Sequence, residues 1–324
     1  MNGQNYLVTL TGKWAFSGTG ITAVNTSLLM NGSVSKTLST GSSVTFVNFS
    51  VQKSSTTEVV LSSNIGISGI LTLTSGKLNL NGKSLTLTGT VDASGTGTIT
   101  GSVSSDLIIN GTGNLGALNF TNSLRNVRNL TINRTSTGSV LLGTPIIVNG
   151  NLYLSNGSLD LNGNVLTLKN NPNPNAIVRT NGNISAAPTF GSSLDIYYNG
   201  STNIITGPEI PVSTTVLRNL IITNAGGVVL ASNATTKGII NFTNGALDLN
   251  GRTLTINGTI ATTSGSIAGS SSSNLVINGS GALGGTINFT TGYQTLNSLT
   301  FNRTTGSATI GTDLTVTNVT LSAG

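Results

Sequence analysis

Neither cysteine nor histidine occurs anywhere in the 324 residues. Their absence excludes disulfides, thiolate metal sites and imidazole chemistry, and it suits export without a disulfide pathway. Acids are almost as scarce, with eight carboxylates in the whole chain, and aromatics make up only 4%. The 14 cations give a formal charge of +6. They are spread too thinly to form the basic block that follows a phosphate backbone, so no nucleic-acid partner is expected. No apolar run approaches the ~18 residues of a membrane span. The N-terminal stretch "MNGQNYLVTL" has no basic or apolar region of a signal peptide, so an exported chain would carry its signal outside this sequence or have lost it. No 3.6-residue apolar stripe with a cap appears either, which argues against helices.

What the chain has in quantity is glycine (42 residues), serine, threonine and asparagine, interleaved with short alternating runs of Leu, Ile and Val. Those runs can bury an apolar face, which separates the composition from that of a disordered chain. Three markers repeat in step. The Asn-Gly closing "GKLNLNG", "GSLDLNG" and "GALDLNG" falls at Asn81, Asn162 and Asn250, with an earlier Asn2-Gly3, at near-equal spacings except for a longer last one. The "LLMNGS", "LIINGT", "IYYNGS" and "LVINGS" stretches place Asn at 31, 110, 199 and 278. Phe49, Leu130, Leu220 and Leu299 keep the same step. The reading is four tandem units of about 81 residues, 2–80, 81–161, 162–249 and 250–324, forming one continuous body. Extra residues in the third unit fall around 170–191 and 206–213, segments that hold Pro172, Pro174, Pro188, Pro208 and Pro211. Proline cannot donate to a strand ladder, so these segments are expected to be loops.

Within a unit, four- or five-residue alternating segments such as "ILTLT", "SLTLTG" and "DLIING" are punctuated by Gly or Asn, the signature of short strands joined by tight turns. The expected fold is all-β: a right-handed parallel β-helix, or β-solenoid, with coils of about 20 to 27 residues. Inward Leu, Ile and Val form its core, Asn-Gly makes corners, and Asn or Thr at equivalent positions stack in ladders. A four-bladed propeller is the competing fold, disfavoured because its blades are shorter and richer in aromatics.

Candidate chemistry is sparse. The acids Glu58, Asp92, Asp106, Asp160, Asp195, Glu209, Asp248 and Asp313 form no D-x-D or E-x-x-E pair, so no catalytic, cofactor or metal site is assigned. Asp160 and Asp248 stand where the first motif has Asn79, each with Asn two residues on. One carboxylate supplies too few of the six to eight oxygens that calcium takes, which favours a polar outward pair. Lys53, Arg134 and Arg303 recur at one position and read as a solubilising row that discourages edge pairing. The Thr-x-Thr runs are interrupted at Lys169 and Asn257, so they make no regular ice-binding array. Trp14, Tyr197 and Tyr198 are the aromatics able to stack on a sugar, although core or cap filling is the favoured role for them. The candidate ligand-contacting residues are therefore Tyr197, Tyr198, Asp195 and Arg179, in the irregular third unit.

The chain starts at an Asn-Gly and ends at "LSAG", which matches the "LSNG" before one, so a segment of a longer repetitive protein or an end-to-end stacking subunit is expected. The phrases "LTLTSGKLNLNGKSLTLTGT" (71–90) and "VRNLTINRTSTGSVLLGTPIIVNGNLYLSNGSLDLNG" (127–163) resemble the repeats of giant secreted or surface adhesins of Bacteroidota exported by the type IX pathway. More distantly they resemble filamentous-haemagglutinin-like β-helix passengers. The resemblance is one of rhythm along the whole chain. It implies a structural or adhesive segment of an extracellular bacterial filament, with homotypic stacking and a polysaccharide as expected partners. A carbohydrate-binding or polysaccharide-cleaving β-helix with its site at the third-unit loops is the alternative.

Overall fold

A computed structural model describes residues 7–10, 14–15, 27–40, 43–135, 137–169 and 175–323. Asn2-Gly3, Pro172, Pro174 and the side chain of Trp14 lie outside them. The described residues contain no helix; they form parallel strands stacked as a β-solenoid of about 14 turns. Two compact units are distinguished, Met1–Lys169 with Gly182–Ser185, and Asn170–Asn181 with Ala186–Gly324.

Alternation builds the core of each unit. In the first, Leu85, Leu107, Leu130 and Leu152 stack as one column through successive coils, and Leu87, Ile109, Ile132 and Leu154 as a second. All eight are at most 1% exposed. The second unit stacks Ile196, Leu220, Ile240 and Ile260 in the same manner. A parallel sheet rises by one strand per coil, so every residue of a column meets its partner one full coil later in the chain. Each fully buried aliphatic side chain contributes about 2 kcal/mol, which makes these columns the main stabilising feature of a chain with few ion pairs.

The Leu-x-Leu-Asn-Gly motif is a corner. Leu78 and Leu80, Leu159 and Leu161, and Leu247 and Leu249 are buried. Asn81, Asn162 and Asn250 then adopt φ values of 47°, 48° and 48°, and the following glycines are also left-handed. Asn tolerates this region better than other residues bearing a Cβ, and Gly adopts it freely. The residue two before each Asn closes the turn, because Asn79 Oδ1, Asp160 Oδ1 and Asp248 Oδ1 accept the backbone N–H of Asn81, Asn162 and Asn250 at 2.9, 2.9 and 2.7 Å. Asp160 and Asp248 thus act within their own turn.

Sequence period and coil period do not coincide. From the marker strand Ser27–Gly32, one sheet of the first unit climbs coil by coil through Asn48–Lys53 and Ile70–Ser75 to Thr90–Asp92. The coil after that is reached where Val91 donates its N–H to Leu115. The marker reappears between these two levels, at Asp106–Gly111, and there it belongs to a different sheet. The same holds in the second unit, where the marker strands Leu194–Gly200 and Asn274–Gly279 lie in different sheets. Across the insertion, by contrast, the marker strands Asp106–Gly111 and Leu194–Gly200 fall in the same sheet.

Candidate functional site

In the second unit, strand alternation sends Tyr198 inward and Tyr197 outward. Tyr198 pairs with Arg179 on one side and with Ile222 on the other, and Phe242 continues that core column. Tyr198 is fully buried and Arg179 is 9% exposed. The third-unit loop brings the equally buried Glu209 against them. Glu209 Oε1 accepts from Arg179 Nη1 at 2.5 Å, from the Tyr198 hydroxyl at 2.8 Å and from the Gly207 N–H at 3.0 Å. Among the described residues Glu209 Oε2 has no partner. Burial, reinforced by the adjacent Glu209 charge, pushes the Tyr198 phenol well above its ordinary value. The cluster places a buried, hydrogen-bonded ion pair where neighbouring coils have hydrocarbon, and so locks the loop to the coil.

Tyr198 fills the core, as favoured for these aromatics, and a stacking platform of Tyr197 and Tyr198 is not formed. Consecutive strand residues face opposite sides of the sheet, and Tyr198 and Arg179 belong to the interior. Asp195, 6% exposed, accepts a fork from Arg218, Nε to Oδ1 at 2.9 Å and Nη2 to Oδ2 at 2.5 Å, and also accepts the Asn219 N–H. This pairing raises the Arg218 pKa, the Asp195 hydrogen bond being the largest cause. Asp106 and Arg128 repeat the fork in the first unit.

The recurrent cations do not form a surface row. Lys53, Arg134 and Arg303 are 2%, 0% and 1% exposed. Each stands opposite the left-handed glycine of the preceding coil, Gly32, Gly111 or Gly279. The turn after that glycine leaves carbonyls pointing inward. Arg134 donates to the carbonyls of Gly113, Thr112, Asn110 (2.7 Å) and Gly89 (3.0 Å). Arg303 donates to those of Gly281 (2.7 Å), Ser280 (2.5 Å), Asn278 (2.6 Å) and Gly258 (2.9 Å). Lys53 reaches Asn31 and Val34, while Asn224 in the third copy donates to Thr202 and Gly227. Burial lowers the pKa of Arg134, and burial together with Lys36 lowers that of Lys53. These cations turn inward because uncapped carbonyls at a tight turn need donors, and a guanidinium supplies five.

Glu58 and Asp92 also accept hydrogen bonds within the fold. Glu58 accepts from Asn79 Nδ2 at 2.9 Å, and Asp92 accepts the Ser94 N–H at 3.1 Å; the Ser94 side chain first, and that N–H second, lower the Asp92 pKa. Among the described residues no three acids gather where a metal could be held. The loops of the third sequence unit do border an open depression of about 480 Å³, lined by Ala187, Phe190, Pro208, Ile210 and Val212 with two serines near Ala231. Its walls are apolar, and none of the four residues expected to touch a ligand lines it. Amide ladders do form: Asn156 Nδ2 donates to Asn133 Oδ1 at 2.7 Å and Asn133 Nδ2 to Asn110 Oδ1 at 3.4 Å. Comparison of the chain with family models, curated proteins and solved structures returns no match.

Proposed function

We propose that the chain is a structural and adhesive β-solenoid segment of an extracellular bacterial surface filament or giant adhesin, without catalytic activity, that holds binding regions away from the cell. The observation that carries this reading is where the recurring polar side chains point. The side chains of Asn81 and Asn250 bond backbone of the neighbouring coil, and the guanidinium groups of Arg134 and Arg303 bond backbone one and two coils back. A repeat that directs its polar groups at its own stacking is suited to length and rigidity. Seven of the eight carboxylates support the same reading, since each accepts a hydrogen bond from within the fold. The repeats' resemblance to type IX-exported adhesins supplies the cell-surface part of the proposal.

The test pairs electron microscopy of the native material with incubation of the purified chain on a polysaccharide panel. Long fibres and no release of reducing ends are expected. Turnover that disappears when Asp313 or Glu209 is substituted would replace this reading with the polysaccharide-cleaving one. Saturable binding lost on Phe190→Ala would assign the apolar depression to a carbohydrate.

A further inference from the structure

The three Asn-Gly corners are alike in backbone and unlike in cover. At the first, Ser105 Oγ accepts the Gly82 N–H at 3.1 Å, and at the third, Ser273 Oγ accepts the Gly251 N–H at 3.1 Å. Both serines are 0% exposed. Each is held in a serine turn, "GSVSSD" at 101–106 and "GSSSSN" at 269–274, in which Ser102 and Ser270 bond its hydroxyl. At the second corner that turn is missing, because "ISAAPTFGSSLD" (184–195) interrupts the pattern with the residues added in the third unit. The serine in reach is Ser185, whose hydroxyl accepts the Leu161 N–H at 2.9 Å and donates to Asp160 at 3.1 Å. No described hydrogen bond engages the Gly163 N–H. Gly163 is exposed, while Gly82 and Gly251 are partly covered, and beyond Gly163 and its two chain neighbours no atom of the described residues lies within 4 Å of where a Gly163 Cβ would stand.

The Asn162 side chain is loosened in parallel. Asn81 Nδ2 and Asn250 Nδ2 each hold a carbonyl of the previous coil, Leu61 and Leu230, at 3.1 Å. Asn162 Nδ2 stands 3.5 Å from Leu142 O, an acceptor that Asn164 Nδ2 takes at 2.8 Å. A backbone N–H held by a hydroxyl and an amide held by a carbonyl both oppose cyclisation of Asn-Gly, and glycine imposes no side-chain barrier to it. At Asn162 both restraints are weakened.

We infer that Asn162-Gly163 is a site of spontaneous covalent modification, where Asn162 deamidates ahead of its two counterparts. The Gly163 nitrogen attacks Asn162 Cγ, the new C–N bond closes a five-membered imide, and the side-chain amide leaves as ammonia with the proton from Gly163. Water then opens the imide at either carbonyl, giving aspartate or isoaspartate. Either product places a second negative charge two residues from Asp160. Isoaspartate also routes the main chain through the former side chain, which the left-handed corner cannot accommodate unchanged.

The experiment is peptide mapping by mass spectrometry after the folded, purified chain has aged in mildly alkaline buffer, with the urea-unfolded chain aged in parallel. Expected are severalfold faster conversion at Asn162 than at Asn81 and Asn250 when folded, and similar rates at the three when unfolded. Ser105→Ala and Ser273→Ala are expected to speed conversion at Asn81 and Asn250 respectively, with Asn162 unchanged. Equal or slower conversion of Asn162 in the folded chain overturns the inference. So does a lead for Asn162 that persists in urea, which would trace to local sequence alone. If a serine variant does not fold, the folded-against-unfolded comparison on the unsubstituted chain decides by itself.

Discussion

Arg303 Nη1 donates to the carbonyl of Gly258, 45 residues earlier, as Arg134 Nη1 does to that of Gly89, also 45 residues earlier. Backbone hydrogen bonds between neighbouring coils span at most 28 residues, so each guanidinium ties its own coil to the one two turns back as well as to its neighbour. Replacing Arg134 by Met leaves at least four carbonyls without that donor. A loss of about 3 kcal/mol or more is expected. Arg134→Lys should recover part of it, since an ammonium presents three donors from one point instead of a fork. Denaturant unfolding followed by circular dichroism measures the difference.

Glu209 and Asp195 provide a matched comparison within one unit. Glu209→Gln leaves buried Arg179 without its charge partner, and a cost of about 3 to 5 kcal/mol is expected. Asp195→Asn breaks a pair whose arginine side chain is 45% exposed, and about 1 kcal/mol or less is expected, shrinking further in high salt. Equal costs in the two variants would refute the assignment of Glu209 as the lock of the loop.

Stability at alkaline pH should carry the signature of Tyr198. Its phenol ionises above the ordinary value of 10.0 in the folded chain and near 10.0 in the unfolded one. Above about pH 10 the unfolded state therefore holds fewer protons, and stability falls as pH rises. In Tyr198→Phe that fall should be shallower. Lys53 acts in the opposite sense, because burial lowers its pKa from 10.5. Between its folded value and 10.5 the unfolded state holds more protons, so its contribution to stability rises with pH, and Lys53→Met should remove that rise. Thermal unfolding across the alkaline range reads both.

The corner at Asn250 should discriminate by backbone. Asn250→Ala is expected to cost about 1 to 2 kcal/mol, from a left-handed residue bearing a Cβ and the lost bond to Leu230. Asn250→Gly should cost less, since it keeps the φ and loses only the bond. If the two variants melt together, the left-handed φ does not govern this position.

Much of this was legible in the residues. Alternation around Leu107 and Ile109, and Asn-Gly after Leu-x-Leu, sufficed for parallel coils and corners. Tyr198 was legible too: aligned on the marker Asn, it takes the place of Met30, Ile109 and Ile277, all at most 1% exposed. The cations misled because polarity outweighed pattern. Arg134 follows Leu130 and Ile132 at the inward step of two, as Lys53 follows Phe49 and Val51, but the carbonyls that receive them belong to a turn of another coil. Glu209 had no such signal, because it lies in a Pro-bounded loop and meets Arg179 across 30 residues of chain.

The mismatch between the sequence repeat and the coil has a consequence for how such a chain can vary. Inserting or deleting one repeat does not slide a pattern along a single side; it advances the pattern around the perimeter, like the thread of a screw. Where no residues are inserted, a residue favoured on one side is, in its next copy, offered to a different direction of the surroundings. Duplication therefore samples orientations as well as length.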